Sequence, residues 1–447
     1  MLAKRVLSCR GAPQLCALVA TPLVCVQQRG IVCKALRRPD PSKPPPWPYR
    51  EKGYPPLHMF FDFTRPRLDE NSKLIVVEGN SGSGKGKLAR ELAEKLGFHF
   101  IPGFRPDFYY ITRYGQDLRD FYHELPESFR WPDFKMFHTN PRHRNVARFQ
   151  HVMFAGRLEQ YCNALAHILN TGQGVVLERS LHSDFVFLNA MRRKDFVSHE
   201  YFRYYYLLRK VAIAECVFRP HLVVYLDTPV DKCLENIKKR AIDYEVNSQA
   251  LDEEYLTAVR ESYKDMVQEA EMHSRVFVYD QSRANVRSDM VVEDIEAQDF
   301  DFHEWHDNER LMQAWNEPGL PGMEWNKLRN KVTNKHPILV PVLGRDFVEV
   351  EEMYLPPPDC EHYHNVLMKR VYKSPYSPGW QVAKGDSLFD VVKGARFLRA
   401  RSGAPDPWIE YMYMEGLYEG FRDNFKFLFD PNCDDWDPRY VEKHAHH

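Results

Sequence analysis

The chain has 447 residues, a length that fits about three ordinary domains or one large α/β domain with extensions. Lysine and arginine total 61 against 62 acidic residues, and this near balance excludes a protein dedicated to nucleic acid, which would need a basic surface. The hydrophobic share of 44% and the aromatic share of 13% suffice for a sizeable core and exclude a globally disordered chain.

The first segment of the chain, residues 1–38, contains bases and no acid. This composition is typical of a mitochondrial presequence, because positive charge suits import across an inward-negative membrane. A secretory signal is the alternative, since the run 15–26 is apolar, but Pro22 interrupts it. The chain also has no CxxC pair and only widely spaced cysteines after residue 33, which favours a reducing compartment. No apolar run is long enough for a transmembrane helix.

A proline-rich arm follows over residues 39–72. Eight prolines lie between Pro39 and Pro56, and Trp47, Tyr49 and Tyr54 stand among them. Such a stretch favours polyproline II and buries little by itself. It is either a linker or an extended arm that lies on a partner or on the following domain.

Over residues 73–285 short apolar runs alternate with segments of helical periodicity. This alternation predicts an α/β fold with a P-loop-type parallel sheet flanked by helices, and ligands in such sheets bind at the carboxyl ends of the strands. The alternation stops beyond residue 285, so we predict that residues 286–447 form an extension that wraps the core or a neighbour. The predicted strands are 74–77, 98–101, 174–178, 221–226 and 276–279, and the predicted helices are 88–96, 148–169, 183–193, 200–217, 230–240 and 252–272.

A GxxxxGK motif joins the first predicted strand to the first predicted helix, with Gly79, Gly82, Gly84 and Lys85 as its candidate phosphate-binding residues. Backbone N–H groups of such a loop cradle phosphates, and the lysine neutralises their charge. The next residue in a working P-loop is Ser or Thr, which ligates Mg²⁺, but here it is Gly86. The motif therefore predicts phosphate binding and compromised phosphoryl transfer.

Three segments together resemble the deoxynucleoside kinases: the loop GNSGSGK at 79–85, the strand end LERS at 177–180, and the basic helix CLENIKKR at 233–240. The resemblance implies that Glu178 and Arg179 lie beside the substrate 5′-hydroxyl and that Gln150 pairs with the base. It also implies a basic lid that binds the phosphates through Arg240, and it makes Glu245 a further candidate for the nucleoside pocket.

Departures from that family are equally informative. The family's catalytic carboxylate follows the second strand, where this chain reads Pro102-Gly103-Phe104 and where Asp107 is the nearest acid. A general base has to reach the sugar hydroxyl. The lid has Ile242 where the family has an arginine. With Gly86, these changes predict a protein without kinase activity.

The stretch TGQGVVLERS at 171–180, the glycine after the P-loop lysine, and YSPGW at 376–380 resemble more closely the nucleoside-kinase-like accessory subunits of mitochondrial complex I. That resemblance implies a structural or assembly role on the matrix side of the inner membrane, peripheral to it, with other subunits of the membrane arm as partners. An active mitochondrial deoxynucleoside kinase is the alternative.

The expected ligand is a nucleotide or deoxynucleotide in a degenerate pocket. FAD has been attributed to these subunits, but the sequence has no feature that supports it, and no GxGxxG follows a strand. Neither a metal site nor a catalytic residue is predicted.

Overall fold

The computed structural model describes residues 31–37, 41–54, 56–106, 117–130, 132–216, 218–282, 286–298, 300, 322–343, 350–367 and 369–370. Asp107 and the YSPGW segment lie outside these ranges. The limits predicted above for the four segments of the chain stay predictions.

A single five-stranded sheet forms the centre of the molecule, and its strand order is β2-β3-β1-β4-β5. All four strand pairs are parallel, with Val76 opposite Leu177 on one side and Val223 on the other. The predicted fold class is therefore confirmed. The strands are β1 (Leu74–Gly79), β2 (His99–Ile101), β3 (Val175–Glu178), β4 (Leu222–Asp227) and β5 (Arg275–Asp280).

Helices cover both faces of this sheet. Each helix predicted between residues 88 and 272 is present, with ends that differ from the prediction by less than one helical turn. Short 3₁₀ turns lie at Pro56–Phe60, Arg65–Arg67, Leu118–Phe121, Glu127–Phe129 and Glu351–Met353. The helices are α1 (Tyr49–Lys52), α2 (Lys85–Leu96), α3 (Phe134–Thr139), α4 (Val146–Thr171), α5 (Phe185–Arg193), α6 (His199–Glu215), α7 (Val230–Arg240), α8 (Asp243–Val246), α9 (Glu253–Glu271), α10 (Ser288–Glu296), α11 (Gly322–Asn334), α12 (His336–Leu343) and α13 (Pro357–Leu367).

The alternation of side chains along β1 divides the core into two clusters. Leu74 and Val76 face the larger cluster, which includes α4, α5, α6 and α9, while Ile75 and Val77 face a smaller one with α2 and α10. All four side chains are fully buried, as expected for a central parallel strand. The carboxyl end of β1 is thus held between two packed layers, where the P-loop begins.

Part of the predicted presequence packs on the smaller cluster. Ile31 is 2% exposed, the N–H of Lys34 donates to the carbonyl of Lys95 at 2.9 Å, and the N–H of Cys33 donates to the Glu296 carboxylate at 2.8 Å. Removal of residues 1–38 would delete these contacts.

The proline-rich arm lies on α4, in agreement with the second of the two alternatives considered for it. The Trp47 N–H donates to the carbonyl of Asn170 at 3.0 Å, and the buried Tyr49 hydroxyl lies 3.1 Å from Nδ1 of His167. The arm is therefore a packed part of the molecule.

The helices beyond α9 were not predicted from the sequence. Helix α11 buries Trp325 and Val332 in the larger cluster, but Asn326 and Arg329 on it are also fully buried. Polar residues at inward positions disguise the helical periodicity, and tertiary packing supplies the stability of such a helix. Within the described part of the chain, no helix has both the length and the hydrophobicity needed to cross a bilayer.

Candidate functional site: a degenerate P-loop and its pocket

The P-loop turns from β1 into α2 over Gly79–Lys85. Gly82 and Gly84 both have φ of +81°, a left-handed conformation that favours glycine. A Cβ at Gly82 would also lie 2.5 Å from the carbonyl oxygen of Cys233, so the loop packs directly on the start of α7. The predicted motif residues therefore form the expected loop at a helix N-terminus.

The motif lysine is buried beneath this loop. The Nζ of Lys85 lies 3.5 Å from the carbonyl oxygen of Asn80 and 3.7 Å from the carboxylate of Glu178. Burial lowers the pKa of Lys85 to about 7, with Arg179 adding to the decrease and Glu178 opposing it. A phosphate in the loop would favour the charged form of this lysine.

The carboxylate of Glu178 fills the space beside two glycines, Gly86 and Gly103. A Cβ added at Gly86 would lie 2.9 Å from Oε2 of Glu178, and one added at Gly103 would lie 3.3 Å from its Cδ. The Gly103 N–H donates to Oε2 at 3.3 Å. One carboxylate thus occupies the space between Gly86 and Gly103.

Phe104, the residue after Gly103, packs on the backbone of α4. Its ring lies so close to Gly156 that a Cβ at that glycine would overlap it. The Phe104 side chain is 7% exposed and belongs to the larger core cluster. An aromatic ring therefore closes this side of the pocket at Gly156, directly before Arg157 and nearly two helical turns from Gln150.

A buried polar group, which we call the inner cluster, consists of Gln150, Arg157, Asp184 and Tyr205. Gln150 donates to Asp184 at 2.7 Å, the Tyr205 hydroxyl donates to it at 2.5 Å, and Arg157 forms an ion pair with it. Burial raises the pKa of Asp184, and Arg157 opposes the change. The base-pairing candidate Gln150 thus has an internal partner.

Sequence reasoning missed Arg157 and Asp184. Two signals were available: Arg157 lies seven residues after Gln150, on the same face of α4, and Asp184 lies four residues after the end of the LERS stretch. Neither spacing by itself shows that the two side chains meet, because α4 and the end of β3 come together only in the fold.

Arg179 has a strained backbone, with φ of +63°. Its N–H donates to the carbonyl of Val77 at 3.0 Å, and its guanidinium lies 4.4 Å from the centroid of the Phe187 ring. Left-handed non-glycine residues concentrate at functional sites, because the surrounding structure has to stabilise them. The fold therefore holds this arginine between the P-loop lysine and the inner cluster.

The lid residues lie on the other side of the P-loop. Arg240, at the end of α7, forms an ion pair with Glu245 at 2.6 Å. Glu245 was predicted for the nucleoside pocket, but this contact joins it to the lid. Arg240 also lines a cleft of about 570 Å³ with Gly82, Gly84, Lys87 and Arg287. The predicted residues are therefore divided between an outer cleft and the inner side, where Lys85, Glu178, Arg179 and Gln150 lie.

The outer cleft is lined by three basic side chains, those of Lys87, Arg240 and Arg287, and by the acids Glu91 and Asp289. The Asn236 side chain donates to the carbonyl of Gly82 at 2.8 Å and fixes the loop against α7. Within the part of the chain that the structure describes, histidine, cysteine and acidic side chains form no group of three that could hold a metal ion.

A model of the deoxynucleoside kinase family matches residues 75–318, and the chain belongs to that family. Its relatives include the NADH dehydrogenase (ubiquinone) 1 alpha subcomplex subunit 10, mitochondrial, of Bos taurus, 37% identical over 57% of this chain and 72% of that protein. The protein of the same name from Rattus norvegicus is 36% identical over 55% of this chain and 67% of its own length. Both resemblances predicted from the sequence are confirmed.

More distant relatives are named as kinases. The deoxyguanosine kinase of Dictyostelium discoideum is 26% identical over 45% of this chain and 61% of that enzyme. Among solved structures, deoxyadenosine kinase from M. mycoides with bound dATP is 19% identical and has a TM-score of 0.38 over 49% of this chain and 96% of that one.

Proposed function

We propose that this chain is a non-catalytic accessory subunit of mitochondrial NADH dehydrogenase, complex I, with a structural or assembly role on the matrix side of the membrane arm. The names of its bovine and rat relatives support membership of the complex. Other subunits of the membrane arm are the proposed partners.

The observation that carries the non-catalytic part of the proposal is the position of Glu178. Phosphoryl transfer needs a hydroxyl or carboxylate for Mg²⁺ and a base within reach of the nucleophile. Gly86 and Gly103 offer neither, and the one carboxylate between them forms an ion pair with Lys85. The Phe104 ring on Gly156 further supports a pocket that no longer admits a substrate in the kinase manner.

The same site supports binding of a nucleotide or deoxynucleotide without turnover. The outer cleft combines Gly82, Gly84 and Arg240, which would hold its phosphates. A ligand that binds only the folded chain stabilises it by mass action, by about 2.7 kcal/mol at a hundredfold excess over Kd. We propose no flavin, because the residues lining the cleft include no aromatic ring against which an isoalloxazine could stack.

Processing of the chain is part of the proposal. Import into the mitochondrion would remove a presequence that ends before Ile31, since residues 31–37 pack on the core. The protein would then lie on the matrix side of the inner membrane. Mass spectrometry of the mature N-terminus checks this point.

Native-gel separation of mitochondrial membranes, with mass spectrometry of the bands, tests the central claim. We expect the chain to co-migrate with NADH:ubiquinone oxidoreductase, and a wholly soluble chain would overturn the assignment. The alternative, an active mitochondrial deoxynucleoside kinase with Glu178 as its base, is tested on the purified chain. Phosphorylation of any deoxynucleoside that disappears in Lys85→Ala would establish it.

A further inference from the structure

Four exposed hydrophobic side chains lie close together in sequence within the arm, ahead of the P-loop. We call Leu57, Phe60, Phe61 and Phe63 the arm tip, and their exposures are 71%, 57%, 81% and 47%. Eleven large hydrophobic residues are exposed among those the structure describes, and four of them fall within these seven positions. Single exposed hydrophobics are ordinary, whereas a concentrated patch marks an interaction site.

The backbone of the arm tip is held firmly although its side chains are not covered. The side chain of Asn326 on α11 accepts from the N–H of Thr64 at 3.0 Å and donates to the carbonyl of Met59 at 2.6 Å. The hydroxyl of the buried Tyr54 donates a hydrogen bond to the carbonyl oxygen of Asp62 at 2.9 Å. The fold therefore presents the tip in one conformation, which lowers the entropic cost of binding.

The charges beside the arm tip are positive. Lys52 and Arg65 are exposed on either side of it, and Asp62 is the only acid from Lys52 to Pro66. Asp62 is paired with Arg67 and with Arg329, the latter at 2.8 Å. On the neighbouring helix α11, Glu324 and Lys327 neutralise each other at 2.6 Å.

We propose that the arm tip inserts into the interface of an anionic lipid bilayer. Apolar side chains beside lysine and arginine are the combination that binds peripheral proteins to such surfaces. Phe61 projects from the surface, and a fluid interface accepts a projecting ring, whereas a protein partner would need a matching pocket. The proposal concerns lipid contact and is independent of the nucleotide cleft.

Co-sedimentation of the full chain with vesicles of phosphatidylcholine and cardiolipin tests this inference. We expect the wild-type chain to bind and the double variant Phe60→Ser/Phe61→Ser to bind at least about tenfold more weakly. The matched control is Leu207→Ser/Met272→Ser, which removes two hydrophobics of similar exposure, 58% and 53%, at separate sites and should bind like the wild type. Basic residues near the N-terminus contribute equally in all three chains.

A second pair of changes tests the charges. Lys52→Gln/Arg65→Gln should weaken binding to cardiolipin vesicles and leave binding to pure phosphatidylcholine unchanged. Equal binding by the wild type and the phenylalanine double variant would overturn the proposal. A second outcome would also overturn the proposal: the wild-type chain does not bind vesicles, and the phenylalanine double variant no longer co-migrates with the respiratory assembly. The partner of the arm tip would then be a protein.

Discussion

Two regions of this molecule bury an arginine against an aspartate, and they differ in origin. In the inner cluster Arg157 meets Asp184, 27 residues away, inside the span that matches the kinase family. In what we call the arm clamp, formed by Tyr54, Asp62, Asn326 and Arg329, the pair Arg329–Asp62 spans 267 residues. Asp62 precedes that matched span and Arg329 follows it, so the clamp joins the two extensions to each other.

The inner cluster and the arm clamp differ in what their buried charges do. The inner cluster holds Gln150, a residue predicted for the nucleoside pocket, in a buried polar network. In the arm clamp Arg329 is fully buried, donates to the Asn170 side chain at 2.7 Å, and lies 4.0 Å from the centroid of the Tyr54 ring. A buried ion pair contributes little net stability over an apolar substitute, but it enforces one geometry. Here that geometry is the presentation of the arm tip.

The largest effect should come from breaking the clamp. Arg329→Met removes one of the two arginine partners of Asp62 and the donor to the Asn170 side-chain oxygen, and should lower the free energy of unfolding by about 3 kcal/mol. Urea denaturation followed by circular dichroism measures it. Arg287→Met, at an arginine whose side chain is 82% exposed, is the control and should change little. Equal effects of the two substitutions would show that the clamp is not structural.

The next effect concerns the ring that closes the pocket. Gly156→Ala forces a methyl group into the Phe104 ring and should destabilise the fold by about 2 kcal/mol. The double variant Gly156→Ala/Phe104→Ala should lose less free energy of unfolding than the sum of the two single variants, because the ring that the new methyl group would meet is absent. Gly322→Ala, where a Cβ meets nothing closer than 3.7 Å, is the matched glycine control. Additive costs in the double variant would contradict the contact.

A pH dependence should distinguish the pocket from the clamp. The folded pKa of Lys85, about 7, lies below the 10.5 of the unfolded chain, so the unfolded state binds more protons between these values. Stability should therefore rise with pH across this window, by at most about 1.4 kcal/mol per unit, and level off at its lower value below the folded pKa. Lys85→Met should flatten the rise, and Lys87→Met, at an exposed lysine, should keep it. Urea unfolding of the two variants at several pH values measures this difference in pH dependence.

The smallest effect is expected where a catalytic hydroxyl is restored. In Gly86→Ser the new Cβ meets only the flexible end of Glu178, so stability should change by less than about 0.5 kcal/mol. No phosphorylation should appear, because the position of Gly103 still lacks a base. Phosphorylation of a deoxynucleoside by this single variant would show that the other catalytic groups are functional. It would refute the non-catalytic assignment.

The sequence by itself determined the sheet, its helices and the P-loop, because strand and helix periodicity and the GxxxxGK spacing are local properties. It also placed Lys85 and Glu178 at strand ends, where the fold brings them together. Only the tertiary structure decided that Phe104 covers Gly156, that Glu245 turns to Arg240, and that residues 31–37 pack on the core.

The arm clamp is the part of the structure that the sequence predicted least. Arg329 and Asn326 are polar residues on an inward helix face, which local patterns assign to the surface, and their partners in the arm, Asp62 and Thr64, stand more than 250 residues earlier in the chain. No periodicity encodes such a pairing. It exists because packing of the two extensions on α4 removes water from these groups, after which each buried donor has to find an acceptor.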